Sequence, residues 1–115
     1  MPELILRRED GTVVCERCTL ADSPVTRLRG LLGRDGLEQG EGLLLRPASS
    51  IHTFFMRFVI DVVFVDRSGG VLKVVRDIKP WRIAASLRAY AVIEMNGGSL
   101  GSADVAVGDR LMLRA

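Results

Sequence analysis

Short runs of apolar residues, separated by turn residues, dominate this chain. Runs of this length that are rich in valine, isoleucine and leucine are typical of β-strands. They predict strands at 3–8, 12–20, 43–46, 59–66, 71–76, 89–95 and 110–114. Apolar residues at helical spacing occur at 24–32, where Ser23 is a suitable N-cap. A helical turn is expected at 99–104, and 48–58, which is hard to assign, is interpreted as strand, turn, strand.

These elements predict a mainly β domain of the α+β class. We expect a small, partly closed barrel of six to seven short strands with one clear helix at about 24–32. The 115 residues are enough for one core, and no repeat, low-complexity tract or linker divides them. We therefore assign residues 1–115 to a single domain.

The predicted strand at 59–66 is the most apolar run, and Asp61 is the one carboxylate in its interior. The valines and isoleucines on both sides of it predict a strand that is buried on both faces. An unpaired carboxylate in such a strand would be strongly unfavourable or would stay protonated. We therefore expect Asp61 to be buried and hydrogen-bonded, with Arg57 or backbone amides as its partners, unless it faces a cavity.

His52 is the only histidine, and it lies nine residues before Asp61. A carboxylate can orient an imidazole and fix its tautomer, so His52 and Asp61 are the candidate catalytic pair, with His52 as the base. The nucleophile would come from Ser49, Ser50, Thr53 or a cysteine, but no G-x-S-x-G frame surrounds any of them. The alternative is a histidine that caps or cross-links the fold.

Phenylalanine and methionine side chains crowd residues 54–58, and such a cluster usually belongs to a core. They cannot all face inward from one strand, because neighbours alternate. Trp81 follows a proline in a predicted loop, and loops often carry binding residues. A hairpin turn at 67–70 returns the chain along the same strand, so His52, Asp61 and Trp81 are predicted to surround one concave surface. The candidate ligand-binding residues are His52, Thr53, Phe55, Arg57, Asp61 and Trp81.

Cys15 and Cys18 form a single C-x-x-C motif. A structural zinc site needs about four ligands, and His52 is the one additional candidate. Redox C-x-x-C motifs open a helix, whereas this pair lies in strand-like sequence, where residues three apart point to opposite faces. We therefore interpret the cysteines as small apolar strand residues, and we expect no metal site and no cofactor.

Charge and composition argue against several classes of partner. The net charge is only +2, and the arginines are interleaved with acids, which argues against nucleic acid. No G-x-x-x-x-G-K-S/T loop is present, so nucleotide binding is not expected. No apolar run approaches the ~18 residues of a membrane span, and the N-terminal segment is too short and polar for a signal peptide. We expect a soluble, cytoplasmic protein.

Five segments of the chain carry a family resemblance. They are RLRGLLGR (27–34), GEGLLLRP (40–47), IHTFFMRFVIDVVFVD (51–66), KPWR (79–82) and VGDRL (107–111). In this order they resemble the bacterial and archaeal family of unknown function called DUF192 or UPF0127. Val59 departs from the family pattern, in which proline is common, and 24–26 lacks the aromatic residue that often precedes the arginines. The resemblance implies a mainly β fold and, in many members, export or lipid anchoring, but no reaction. We expect a bacterial source.

Two functions from different classes remain open. The first is a non-catalytic binding or accessory domain that recognises a small molecule or a protein segment through His52, the phenylalanines and Trp81. The second is a small hydrolase-like enzyme that uses the pair of His52 and Asp61. The lack of a nucleophile frame and of a complete metal-ligand set favours the first, so we lean away from an enzyme.

Overall fold

The computed structural model describes residues 3–24, 26, 31, 33–100 and 105–114, and within them the chain forms nine β-strands. Their bounds are β1 Glu3–Arg8, β2 Val13–Ala21, β3 Glu41–Leu45, β4 Ser50–His52, β5 Ile60–Val65, β6 Val71–Ile78, β7 Ile83–Ala85, β8 Ala91–Asn96 and β9 Leu111–Arg114. Seven strands form one sheet in the order β6-β5-β8-β3-β2-β1-β9, and β4 pairs with β7 in a two-stranded ribbon. The pairs are antiparallel except for β2 with β3.

The seven-stranded sheet curls into a half-barrel whose two edges meet at one corner. β6 and β9 are the edge strands, yet Gly70 forms a bridge with Arg110 beside them. The Leu111 N–H donates to the Gly69 carbonyl at 2.8 Å. A side chain on Gly69, whose φ is +88°, would overlap the Leu111 carbonyl, so this close approach requires glycine. The half-barrel agrees with the partly closed, mainly β architecture that the strand pattern predicts.

The sheet buries both of its faces. One face packs against the β4–β7 ribbon and is called the ribbon-side core, which includes Ile51, Met56, Ile60, Val62, Phe64 and Ala84. The opposite face is called the barrel-side core, which includes Leu6, Cys15, Cys18, Val63, Ile93, Met95 and Leu100. β5 contributes to both cores in alternation, and all six of its residues are buried. The predicted strand at 59–66 that is buried on both faces is confirmed.

Asp61 is completely buried in β5, and alternation places it on the barrel-side face. Its Oδ1 accepts the Asp77 N–H at 2.9 Å, and its Oδ2 accepts the Leu100 N–H at 3.0 Å. The pairing of β5 with β6 shifts between Ile60 and Val62, where β6 has one extra residue. Asp77, with a φ of +54°, lies in this β-bulge. The bulge removes the Asp77 N–H from the pairing of β5 with β6, and the Asp61 carboxylate accepts it instead. Asp61 is therefore buried and hydrogen-bonded, as the sequence analysis expected.

The C-x-x-C pair departs from the sequence prediction. Cys15 and Cys18 are both completely buried, and both belong to the barrel-side core. They lie opposite Leu6 and Leu4 of β1, so three residues of β2 span the same length as two of β1. This β-bulge turns both cysteines toward one face. The prediction that they point to opposite faces is wrong, because an apolar pattern does not record a one-residue bulge.

The helix predicted at 24–32 is not confirmed, because most of that segment lies outside the described residues. At its start, the Ser23 Oγ accepts the Thr26 N–H at 3.2 Å, and the Thr26 Oγ1 accepts the Ser23 N–H at 3.1 Å. This reciprocal pattern resembles a capping box. The turn predicted at 99–104 lies mostly outside the described residues as well. In the part of the chain that is described, no helix is long and apolar enough to cross a membrane.

We predict that Asp61→Ala lowers the free energy of unfolding by about 2–4 kcal/mol, because two buried backbone N–H groups lose their acceptor. Asp35→Ala is the matched control, since its side chain is 85% exposed and it should change stability by less than about 0.5 kcal/mol. Urea denaturation followed by circular dichroism measures both variants. Equal midpoints for the two would contradict the role assigned to Asp61.

Candidate functional site

The β4–β7 ribbon contains His52, and Thr53 and Trp81 lie in the segments that adjoin its strands. Its strands are antiparallel, and His52 lies opposite Ile83. β4 lies in the segment 48–58 that was interpreted as strand, turn, strand, whereas β7 was not predicted, because its three residues are too few for a periodic signal. The expected six to seven strands are therefore corrected to nine among the described residues.

Thr53, directly after β4, is completely buried and fixes the K-P-W-R turn. Its hydroxyl donates to the Lys79 carbonyl at 2.6 Å and accepts the Arg82 N–H at 2.9 Å. Its backbone N–H donates to the Arg82 carbonyl at 2.8 Å, and its carbonyl accepts the Trp81 N–H at 3.0 Å. Thr53 therefore positions Trp81. Because Thr53 has no exposed surface, the direct ligand contact predicted for it does not fit the structure.

Exposed rings gather beside this turn. We call the surface formed by His52, Phe54, Phe55, Trp81 and Ile83 the aromatic patch. The centroid of the Trp81 ring lies 5.7 Å from that of Phe54 and 4.6 Å from that of Phe55, and the His52 ring lies 5.0 Å from Phe54. Phe55 is 71% exposed, Trp81 56% and Ile83 69%. Large apolar residues that are exposed together mark interaction surfaces.

Backbone strain is concentrated in the aromatic patch. Phe55 has a φ of +65° and Trp81 a φ of +68°, in the left-handed region that bulky residues rarely adopt. Such conformations cost about 1–3 kcal/mol each and persist where the surrounding structure enforces them, often at functional sites. The hydrogen bonds of Thr53 enforce the conformation of Trp81. The fold thus holds two large rings in solvent on strained backbone.

Cationic side chains border the aromatic patch. Arg82 is exposed, and its guanidinium donates to two carbonyls of the K-P-W-R turn at 3.4 Å each. Lys79, in the same turn, is also exposed. Arg57 is 65% exposed and forms an ion pair with Asp35 at 2.8 Å. Because that pair is neutral, Lys79 and Arg82 give the rim its positive charge.

The structure does not bring His52 and Asp61 together. His52 is exposed on the ribbon, and its Nδ1 accepts the Phe54 N–H at 3.3 Å. Asp61 lies on the barrel-side face, and both of its oxygens accept backbone N–H groups. The ribbon packs against the opposite face, so the sheet itself separates the two side chains. The predicted catalytic pair is therefore not assembled, because alternation along β5 turns Asp61 away from the ribbon.

The concave surface predicted around Trp81 does not match the described cavities. The larger cavity, of about 440 Å³, is lined by part of β2 and by the chain around Gly40 and Gly98. The smaller one, of about 240 Å³, lies between the turns at 8–10 and 108–110. Neither is lined by a predicted ligand-binding residue. The aromatic patch is thus an exposed surface on the ribbon rather than the wall of one of these cavities.

Glu94 is a buried acid that the sequence analysis missed. It is 4% exposed and lies in β8 between Leu43 and Val62, which both belong to the ribbon-side core. Burial raises the pKa of Glu94 to about 7. The signal was present in the sequence, because Glu94 interrupts an apolar run just as Asp61 does.

Comparison with known proteins gives one family and several relatives. The model of the DUF192 family, described as an uncharacterized ACR, matches residues 5–113. A UPF0127 protein of Thermococcus sibiricus is 30% identical over 113 residues, which cover 94% of this chain and 73% of the relative. A UPF0127 protein of Pyrococcus horikoshii is 38% identical over 96 residues, which cover 80% and 83% of the two chains. Both relatives are archaeal, so the expected bacterial source is not confirmed.

Two crystal structures share the fold. A proposed transcription regulator of Sinorhizobium meliloti superposes with a TM-score of 0.84 at 22% identity, covering 96% of this chain and 92% of that one. A protein of unknown function from Novosphingobium aromaticivorans superposes with a TM-score of 0.79 at 23% identity, covering 96% and 83%. At this level of identity the likeness shows the fold alone.

The strain at Trp81 is testable by substitution. Trp81→Gly should be more stable than Trp81→Ala by about 1 kcal/mol, because glycine adopts positive φ without strain. At ordinary positions the order is reversed, since glycine loses more chain entropy on folding. Ile83→Gly and Ile83→Ala provide the control on the same ribbon and should follow the ordinary order. Thermal denaturation of the four variants decides, and an alanine variant as stable as the glycine variant at position 81 would refute the strain.

Glu94→Gln should stabilise the protein at pH 8 and have little effect at pH 4. The folded-state pKa of Glu94, about 7, lies above its ordinary value of 4.5, so the fold favours the protonated acid. Its contribution to stability is full below pH 4.5 and is lost as the pH rises through 7. The shift corresponds to at most about 3 kcal/mol. Urea unfolding of both proteins at each pH measures the difference, and a difference independent of pH would contradict the prediction.

Proposed function

Since the chain belongs to the uncharacterised DUF192 (UPF0127) family, whose description assigns no reaction, we propose a function from the surface that the fold builds. The proposal is a non-catalytic domain that binds an extended protein segment through the aromatic patch. The observation that carries it is the pair of strained, exposed aromatic residues, Phe55 and Trp81.

Stability of the fold alone does not account for this pair. Both residues keep more than half of their surface in water, so their burial contributes little, and the left-handed backbone at both raises the free energy of the folded state. A partner that covers the patch removes that apolar surface from water. Tryptophan in particular dominates the binding energy of many interfaces. Strain and exposure at the same two residues therefore favour an interaction site.

The shape of the aromatic patch favours a protein segment over a small molecule. Small-molecule sites are concave and enclose most of the ligand, whereas these rings lie on the surface of a ribbon. The edges of the ribbon also offer backbone groups. The Thr53 N–H donates to the Arg82 carbonyl across the ribbon. Because hydrogen-bonded and non-hydrogen-bonded pairs alternate in an antiparallel ribbon, the N–H and C=O groups of the next pair, His52 and Ile83, point away from each other and outward. An extended segment can hydrogen-bond to such an edge.

The charge at the rim defines the chemistry of the segment. Lys79 and Arg82 are both exposed and lie in the turn that carries Trp81. Opposite charges across an interface steer association and improve specificity. The favoured partner therefore combines aromatic or branched aliphatic residues with neighbouring aspartate or glutamate.

The hydrolase-like alternative has less support from the geometry. It needs a carboxylate beside His52, and the described contacts of His52 are with Phe54. Asp61, the acid that the alternative requires, has both oxygens committed to backbone amides on the other face of the sheet. We therefore do not propose a reaction for this surface.

Trp81 is the only tryptophan of the chain, so its fluorescence reports directly on the aromatic patch. Peptides that are selected from a random phage-displayed library on the immobilised protein provide the probe. We expect enriched peptides to combine apolar and acidic residues and to shift the Trp81 emission to shorter wavelength. Phe55→Ala should weaken their binding by roughly fivefold or more, the loss expected of an interface anchor.

Val107→Ala is the matched control, because Val107 is 66% exposed and lies in the turn beside Val71, at the other end of β6 from Trp81. It should bind the peptides as the wild type does. Peptides that bind the wild type and Phe55→Ala equally would contradict the proposal. A library that yields no such peptide, together with small molecules that shift the Trp81 emission, would assign the patch to a small ligand instead.

A further inference from the structure

The β4–β7 ribbon has two outer edges, and the register of the ribbon determines which backbone groups lie on them. The Ser86 N–H donates to the Ser49 carbonyl at 2.9 Å, and the Thr53 N–H makes the equivalent bond of 2.8 Å at the other end of the ribbon. Hydrogen-bonded and non-hydrogen-bonded pairs alternate in an antiparallel ribbon. The N–H and C=O groups of Ser50 and His52 therefore point outward from β4.

The outer edge of β7 is partly occupied. By the same alternation, the backbone groups of Ile83 and Ala85 point outward from this strand. The Lys73 ammonium, which comes from β6, donates to the Ala85 carbonyl at 2.9 Å. Ala85 itself is half-buried. Lysine side chains on edge strands are one of the devices that keep other strands from pairing there. A segment that approached β7 would have to displace this lysine.

The outer edge of β4 is open. Ser50 and His52 are both exposed, whereas Ile51 between them is buried in the ribbon-side core. In the part of the chain that the structure describes, the outward N–H and C=O groups of Ser50 and His52 have no hydrogen-bond partner. Two donors and two acceptors therefore face solvent at the spacing of a β-strand, which is the arrangement that another strand can pair with.

We propose that the protein segment bound by the aromatic patch pairs with the outer edge of β4 and extends the ribbon to three strands. This inference rests on the proposed function and adds to it the edge, the backbone contacts and the side-chain pattern of the segment. One residue of the segment lies opposite His52, and the residue two positions along lies opposite Ser50. Both exchange N–H···O=C bonds with the outward groups of β4, and such main-chain bonds supply affinity.

Alternation along β4 determines which side chains of the segment meet the aromatic patch. Neighbours on a strand point to opposite faces, and Ile51 points into the ribbon-side core, so Ser50 and His52 point to the outer face of the ribbon. Segment residues opposite them place their side chains on the same outer face, where one lies beside the His52 and Phe54 rings. Aromatic and β-branched residues are favourable cross-strand neighbours of such rings. The segment therefore carries apolar residues at every second position.

Charge at one end of the ribbon determines where the acidic residue of the segment lies. Beyond His52, the added strand passes Thr53 and the K-P-W-R turn, in which Lys79 and Arg82 are exposed. An aspartate or glutamate at this end meets opposite charge, which improves specificity. The partner is thus an extended segment with alternating apolar residues and an acid just beyond the residue that pairs with His52.

Amide hydrogen exchange of the intact chain, measured residue by residue by NMR, tests the added strand directly. The probe is a synthetic copy of the peptide that the phage selection on the immobilised protein enriches most. At saturating peptide we expect the Ser50 and His52 N–H groups to exchange roughly tenfold more slowly or less, because hydrogen-bonded amides exchange only when the structure opens. The N–H groups of Ile83 and Ala85, on the β7 edge, should keep their rates.

Proline at position 50 removes one outward N–H and leaves the bonds between β4 and β7 in place, because proline is compatible with an edge strand where its nitrogen faces solvent. Ser50→Pro should bind the peptide roughly fivefold more weakly than Ser50→Ala, the loss expected for one hydrogen bond. Ala85→Pro makes the matched change on the β7 edge and should bind as the wild type does. The shift of the Trp81 emission measures the affinities.

Slower exchange at Ile83 and Ala85 instead, or equal binding by folded Ser50→Pro and Ser50→Ala, would overturn the assignment to β4. If Ser50→Pro does not fold, the exchange rates of the wild type decide. A peptide that shifts the Trp81 emission without slowing any of these amides would overturn the added strand and leave the proposed function standing. A selection that yields no peptide able to shift the Trp81 emission would refute the proposed function, and the added strand with it.

Discussion

The Asp61 carboxylate connects the interior of the sheet to the surface that carries the aromatic patch. The carboxyl group of Asp61 is tolerated in β5 because it accepts hydrogen bonds from two backbone amides. One of them, that of Asp77, is available because β6 has a bulge there. The bulge also redirects the chain at Asp77, whose φ is +54°. The K-P-W-R turn follows, and Thr53 then holds Trp81 in place. The β6 bulge and the K-P-W-R turn thus link the buried Asp61 to the exposed Trp81.

The hydrogen bonds of Thr53 and the strain at the aromatic patch are of similar size. To the K-P-W-R turn, Thr53 makes hydrogen bonds of 2.6 and 2.9 Å through its hydroxyl and of 2.8 and 3.0 Å through its backbone. At about 1 kcal/mol each, such bonds contribute roughly 4 kcal/mol. Two left-handed aromatic residues cost about 1–3 kcal/mol each. These four hydrogen bonds therefore approximately offset the backbone strain at Phe55 and Trp81.

The sequence pattern predicts the structural features that follow from strand periodicity, but not those that follow from a single inserted residue. The strand at 59–66, its burial on both faces and the hydrogen-bonded state of Asp61 follow from the apolar run and its one acid. The faces of Cys15 and Cys18 do not, because a bulge in β2 changes the alternation by one residue. The pairing of His52 with Asp61 fails for a related reason, since the sheet lies between two residues that are close in sequence. The pairing of β4 with β7 was not predicted, because the two strands are short and distant along the chain.

The order of strands has a consequence for how the chain folds during its synthesis. β1 pairs with β9. The outer edge of β1 is therefore covered only after β9 has left the ribosome. The hairpins β1–β2 and β5–β6 are local and can form early, whereas the neighbours β3–β8 and β1–β9 require long loops to close. Until β9 is available, the outer edge of β1 is unpaired and able to template association with other chains. The nascent chain is therefore exposed to wrong pairing at this edge throughout the synthesis of the strands between β1 and β9.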